Sequence, residues 1–215
     1  MDRRKALKNM GLAMGYTVAT PTLISLVQSC KSEPAVSWSP QFFTVEEAGA
    51  LTQLVDIILP KTDTPSASEV QVDVFIDRFA DAVMEKDQQD FLRMSMAKFL
   101  DKAKAESGVE NTADLTQENI EAVLAEALKV SDEDKVTYLD MINSYHESKE
   151  NDLDAQLDDS ASRYAFADNL RSLAIWGYKT SEYVGEEVLA YLPVPGEYIA
   201  CGDLEELTQG KAWSL

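Results

Sequence analysis

The chain has 215 residues, of which 38 are acidic and 19 basic, giving a formal net charge of −19 at pH 7. That balance excludes nucleic acid as a default partner and disfavours anionic lipid headgroups, because phosphate binding needs clustered Lys and Arg. With two cysteines and one histidine, and without HExxH, CxxC, CxxCH or GxGxxG, the sequence spells out no catalytic, cofactor-binding or metal-binding residues of its own.

Residues 1–29 read as an export signal, basic at Arg3, Arg4, Lys5 and Lys8, then weakly apolar from Met10 to Val27. Arg3-Arg4-Lys5-Ala6-Leu7-Lys8 resembles a twin-arginine signal. Gly11, Gly15, Thr17, Thr20, Pro21 and Thr22 dilute the run and make it a poor membrane span, although an uncleaved anchor is the alternative. Leu26-Val27-Gln28-Ser29-Cys30 resembles a bacterial lipobox, so cleavage before Cys30 would leave a lipidated N-terminus. Cleavage elsewhere would leave a spare thiol instead. Residues 30–39 then form a lipid-anchored spacer, and residues 40–215 the folded domain, held on the periplasmic face of the envelope. Setting aside the four basic and one acidic residue of the signal leaves 15 against 37, about −22. Such a field suits neutral or basic protein partners.

Thr44 and Glu47 predict a capping box, followed by Ala48, Leu51, Val55 and Ile58 at helical spacing until Pro60. Lys61 to Ser66 predicts a loop whose hydroxyls bond nearby backbone. Ser68 and Gln71 predict a second box, with Val72, Phe75, Ile76, Phe79 and Val83 as the apolar stripe behind it. Asp73, Asp77 and Asp81 recur every four residues and read as a solvated face. Further helices are expected over 87–105, 116–129 and 131–149, with Met84, Met94 and Met96 as gap fillers and Gly108 as a stop. The helix over 131–149 opens on a Ser131 and Asp134 box and carries His146 on its apolar edge, as a core or interface histidine. An acidic linker over 148–160 leads to helices over 163–176 and 180–191, then to a turn at Pro193-Val194-Pro195-Gly196 and a tail ending Trp213-Ser214-Leu215. Cys201 is expected to be buried beside Ile199 and Ala200. The fold is therefore all-α, one irregular bundle of about seven helices with an aromatic, Gly/Pro-rich C-terminal lobe.

That lobe sets Trp176, Tyr178, Tyr183, Tyr191 and Tyr198 among Gly177, Gly185, Pro193, Pro195 and Gly196. Half-polar rings on bent backbone suit either a partner surface or a satellite core. The stretch GYKTSEYVGEEVLAYLPVPGEYIAC, from Gly177 to Cys201, resembles the C-terminal signature of the gluconate 2-dehydrogenase subunit 3 family. LVDIILPKTDTPSASEVQVDVFID, from Leu54 to Asp77, is similar to the family's other marker, which ends in Phe-Ile-Asp. Ser66 stands where that pattern usually has Gly, and a turn needing positive φ would resist it.

The resemblance implies a non-catalytic small subunit of a membrane-associated sugar or sugar-acid dehydrogenase. Its large partner would be a GMC-type flavoprotein holding FAD, its third member a c-type cytochrome. The chain would then aid the flavoprotein's export by the twin-arginine route, its tethering through Cys30 and its stability. Trp176, Tyr178, Tyr183, Pro195, Tyr198 and Trp213 would form the partner interface. The alternative is a free-standing helical envelope lipoprotein that binds a small ligand or acts as a scaffold. An independent enzyme would need a pocket at His146 or at the Asp73 row.

Overall fold

The computed structural model describes residues 36–151, 155–194, 196, 199 and 201–214. Arg3, Arg4, Cys30, Pro195 and Tyr198 lie outside the described residues, as does the signal. The helices among the described residues are α1 (Val45–Ile58), α2 (Val72–Ala82), α3 (Lys86–Ser107), α4 (Gln117–Leu128), α5 (Asp132–Glu150), α6 (Asp159–Lys179) and α7 (Leu204–Thr208). Among the described residues there is no strand, only an isolated bridge between Ala190 and Trp213. The chain is all-α, as its periodicity implies.

Local chemistry sets the boundaries. The Thr44 hydroxyl accepts from the Glu47 N–H at 3.2 Å while the Glu47 carboxylate accepts from the Thr44 N–H at 2.9 Å, a complete capping box for α1. Thr116 and Asn119 do the same for α4, and Gly108, at φ 70°, ends α3 in the left-handed region that glycine tolerates. The Ser131 hydroxyl accepts from the Asp134 N–H at 3.0 Å, but no reciprocal bond returns to the Ser131 N–H, so that box is half made. α6 is longer than its stripe implied, because Asp158 caps it by accepting from the N–H groups of Ser160 and Ala161. The expected linker shrinks to residues 151–158.

The Ser68 and Gln71 box does not form. Ser68–Val70 is a single 3₁₀ turn, and the Ser68 N–H and hydroxyl donate to the Asp56 carboxylate at 2.8 and 2.7 Å. Gln71 sits at φ 61° directly before α2 and makes no side-chain cap bond. Positive φ in this turn therefore falls on Gln71, while Ser66 keeps negative φ, is buried, and donates its N–H to Glu69 at 2.9 Å. Serine in place of glycine there is thus unstrained.

α6 is the hub, touching α1, α2, α3, α4 and α5. Its buried face is built from small residues, Ala161, Ser162, Ala165, Ala167, Ala174 and Gly177, which let neighbouring helices approach closely. Phe166 projects from it onto Phe99 of α3, ring centroids 5.1 Å apart, both rings fully buried. Leu51, Leu54 and Val55 of α1, Val72 and Ile76 of α2, and Ile120 and Val123 of α4 complete the core. Met96 lies in this core and Met84 packs against it, as gap fillers do.

Within the helices, two expectations fail on burial. Asp73 and Asp77 are buried, not solvated; only Asp81 of the row is exposed. Asp73 Oδ2 accepts from Trp38 Nε1 at 3.1 Å and from the Thr52 hydroxyl at 2.6 Å. Asp77 is 0% exposed and accepts from three successive backbone N–H groups: Gln41 at 2.7 Å on one oxygen, Phe42 and Phe43 at 3.0 Å on the other. The segment before α1 has no ladder partner for those donors, so a buried carboxylate supplies the acceptors. Arg93 of α3 adds a bond to the Phe42 carbonyl and lies over the Phe42 ring at 4.0 Å. The second failure is α5, none of whose residues is buried; Val136, Leu139 and Met141 are exposed. His146 is exposed too, with its ring 4.7 Å from that of Phe91, so it is not a core residue.

Candidate interaction surface

The C-terminal end of α6 and the loop between α1 and α2 are joined by two contacts. The Tyr178 hydroxyl lies 2.8 Å from the Pro65 carbonyl and 2.9 Å from the Thr64 hydroxyl. A phenol has one hydrogen, so it donates to the Pro65 carbonyl and accepts from Thr64. One residue earlier, a Cβ on Gly177 would stand 2.6 Å from Phe75 Cδ1, so only glycine lets α6 lie this close to α2. The Thr180 and Ser181 hydroxyls donate to the carbonyls of Trp176 and Tyr178 at 2.9 and 2.8 Å, adding a second bond to acceptors that already take the Thr180 and Ser181 N–H groups. Gly177, Tyr178, Thr180 and Ser181 thus each have a structural reason to stand in this order.

The loop so held is also braced internally. Thr62 donates its N–H to the Thr64 carbonyl at 3.0 Å, and Lys61 pairs with Glu69 at 2.6 Å. Lys61, helped by the Ser66 N–H, holds the Glu69 carboxyl below the usual carboxylate range. Replacing Tyr178 by phenylalanine removes both phenol bonds at a half-buried position. The expected cost is about 1–2 kcal/mol of unfolding free energy, read as a lower urea midpoint at unchanged m-value.

Around this lock the apolar surface is open. Trp176 is 43% exposed and stands edge-on to Phe75 and Phe79, with centroids 5.1 and 5.2 Å away. Tyr183 is 48% exposed and lines a shallow cleft of about 400 Å³ against the loop, beside Thr64 and Pro65. Tyr178 is half-buried with its hydroxyl spent on the loop, so it positions this surface more than it offers itself to a partner. The expected helix over 180–191 is instead one π turn, Val184–Val188, that buries Val184 and Gly185 and leaves Glu186 and Glu187 in solvent.

The tail beyond it is fixed by backbone pairing. Ala190 donates to the Ala212 carbonyl at 2.8 Å and accepts from the Ser214 N–H at 2.9 Å. Trp213 between them is 48% exposed. No ring pair joins it to Trp176 among the described residues. Tyr191, Leu192, Val194, Leu204 and Leu207 extend the exposed apolar surface. Cys201 is a free, exposed thiol, which corrects the expectation of burial. α7 was not foreseen; its signal is Asp203, which accepts from the N–H groups of Glu205 and Glu206 as an N-cap.

Adjoining this surface at Trp176, α2, α3, α5 and α6 enclose an open groove of about 1020 Å³, with Phe79, Phe91, Leu139, Leu173 and Trp176 among its walls and His146 at its side. No group of three or more His, Cys, Asp or Glu side chains with metal-site geometry occurs among the described residues, and no helix among them is long and apolar enough to cross a membrane.

The family profile described as gluconate 2-dehydrogenase subunit 3 matches residues 45–196. No curated protein and no solved structure matches the chain at a significant level. The matched span begins with α1 and holds both the Thr64-Pro65 loop and the end of α6 that Gly177 and Tyr178 bind to it. The chain belongs to the gluconate 2-dehydrogenase subunit 3 family.

Proposed function

We propose that this chain is the non-catalytic small subunit of a periplasmic FAD-dependent gluconate or sugar dehydrogenase. It carries a signal-less, GMC-type flavoprotein through the twin-arginine route, then tethers and stabilises it at the membrane. Family membership supports the complex; the open aromatic surface at Trp176 and Tyr183, set on a braced loop, is the observation that supports a docking role. FAD belongs to the partner, and a c-type cytochrome completes the electron path.

The mechanism is physical. The flavoprotein folds around its cofactor in the cytoplasm and docks, so one signal, carrying Arg3 and Arg4, exports two chains. After cleavage, acyl chains on Cys30 hold the complex, each buried CH₂ contributing about 0.8 kcal/mol. Trp176 and Tyr183 offer large rigid rings that lose little side-chain freedom on binding, and such rings dominate interface energetics.

Trp176→Ala with Tyr183→Ala is expected to cost about 2 kcal/mol or more of partner binding, a loss of at least about 30-fold in affinity. Co-purification of the large subunit from solubilised envelopes measures it, with the variant's own melting temperature as control. Full recovery of the large subunit with this double variant would place the interface elsewhere, towards Pro195, Tyr198 and Trp213.

A further inference from the structure

The groove between α3, α5 and α6 differs from the docking surface described above in that a nearly buried tyrosine lines it. Tyr164 of α6 is 3% exposed and lines the groove, its ring 5.7 Å from that of Tyr138 on α5. Its hydroxyl has no hydrogen-bond partner among the described residues. The oxygen keeps some accessible area, since no fully buried side-chain oxygen or nitrogen is left unpartnered among the described residues. A hydroxyl on so buried a residue with no protein acceptor or donor is met by water or by a ligand.

The lining restricts what can meet it. Phe79, Phe91, Leu139, Leu173 and Trp176 make the walls apolar, and the volume of about 1020 Å³ is at the upper end of small-molecule sites. The charged side chains among the described lining residues are the carboxylates Glu150 and Asp168, with no Lys or Arg. Asp168 is paired with Arg171 at 2.6 Å, so the described lining offers an anionic head group no free cation and leaves the Glu150 carboxylate to disfavour it. Burial, and then Asp168, push the Tyr164 phenol above its ordinary range, which keeps it a donor.

We propose that this groove binds a neutral lipophilic small molecule bearing a carbonyl or similar acceptor oxygen, which receives the Tyr164 hydroxyl hydrogen. The ring or tail of such a ligand lies along Phe91, Leu173 and Trp176. α5 forms the outer wall, and its Leu139, exposed, and Ile142, half-buried, are apolar area that an occupant shields. Trp176 stands at the edge shared with the proposed docking surface, whereas Tyr164 and Leu139 belong to the groove and not to that surface.

The probe is prodan, a neutral aryl ketone whose emission reports hydrogen bonding to its carbonyl. It is titrated into the full chain carrying Cys30→Ser, so that no detergent competes for the dye. Saturable one-to-one binding is expected, displaced by menadione, a neutral quinone, and not by dodecanoate. Tyr164→Phe should weaken it about 3- to 10-fold and shift the bound emission to the blue, as the carbonyl loses its donor. Leu139→Lys, at an exposed position where folding is not at stake, should weaken it at least 10-fold by placing a solvated cation in the wall. Non-saturating uptake, displacement by dodecanoate, or an unchanged affinity and emission with Tyr164→Phe would each overturn the proposal, whatever Leu139→Lys does. Those results would mean that the dye is held by the exposed apolar surface of the C-terminal lobe.

Discussion

Asp77→Ala should lower the unfolding free energy by about 4 kcal/mol, the largest single-site effect expected in the folded domain. The carboxylate is fully buried, and its two oxygens accept from three consecutive backbone N–H groups, those of Gln41, Phe42 and Phe43. Alanine leaves all three donors in a closed core with nothing to meet them, and each such donor costs about 1–3 kcal/mol. Phe42 and Phe43, themselves buried, would lose their anchor and expose the top of α1. Asp77→Asn separates charge from geometry. Its single carbonyl oxygen can serve Phe42 and Phe43 or Gln41, and the amide NH₂ then faces a donor, so the expected cost is about 2 kcal/mol. In a domain of this size the alanine variant should melt about 8–16 °C lower. An unchanged melting temperature would show that the carboxylate is dispensable.

Gly177→Val should cost about 3 kcal/mol and damage partner binding together with stability. A Cβ at this position stands 2.6, 3.0 and 3.4 Å from three atoms of the Phe75 ring, and those atoms are the body of a packed ring, not a flexible end. Relief requires α6 to move away from α2 or Phe75 to leave its rotamer, and overpacking of this kind costs about 1–3 kcal/mol. Phe75 also supports Trp176 edge-on, and Tyr178 next along must stay within reach of Pro65. Displacing α6 therefore disturbs both the exposed ring and the lock on the loop. Phe75→Ala in the Gly177→Val background makes room for the branches, so the double variant should be more stable than the sum of the single changes predicts. Additive losses would show that the clash lies elsewhere.

The helices were legible because their ends carry chemistry that a linear reading can find: Thr44 with Glu47, Thr116, and Gly108 each mark a boundary that the structure keeps. The Asp row was not. On an α-helix, positions 73 and 77 neighbour the buried positions 72, 76 and 80, and spacing alone cannot say whether the apolar face is wide enough to enclose them. What enclosed them was the segment at 38–43, which has no helical or strand pattern and draws its acceptors from tertiary contacts. The same limit applies to α5, whose Val136, Leu139 and Ile142 have core spacing yet are not buried, Leu139 and Ile142 bordering an open groove. Of the two readings of His146, core or interface, its exposure removes the first.

At the candidate site, the two family markers were legible as strings but not as a joint. That Tyr178 bonds to Thr64 and Pro65, and that Gly177 admits Phe75, depends on a contact across more than a hundred residues. Tyr164 gave no signal in the sequence, since one tyrosine on the buried side of a helix is ordinary. Its meaning comes from a hydroxyl left without a partner. The single π turn over Val184–Val188 and the exposed Cys201 depart from the expected helix and buried thiol, in a stretch where the sequence left a partner surface and a satellite core both open.

The accessory-subunit reading is tested most directly by recovering the chain from native membranes through an affinity tag placed in the spacer after Cys30, which leaves Trp213 and the C-terminal surface free. The eluate's absorbance spectrum and its dye-linked oxidation of gluconate and related sugar acids are then measured. A second chain of flavoprotein size, flavin bands and sugar-acid oxidation, all lost when Arg3 and Arg4 are both replaced by lysine, is the predicted result. A colourless chain that elutes alone as a stable monomer would contradict it and favour a free-standing lipoprotein.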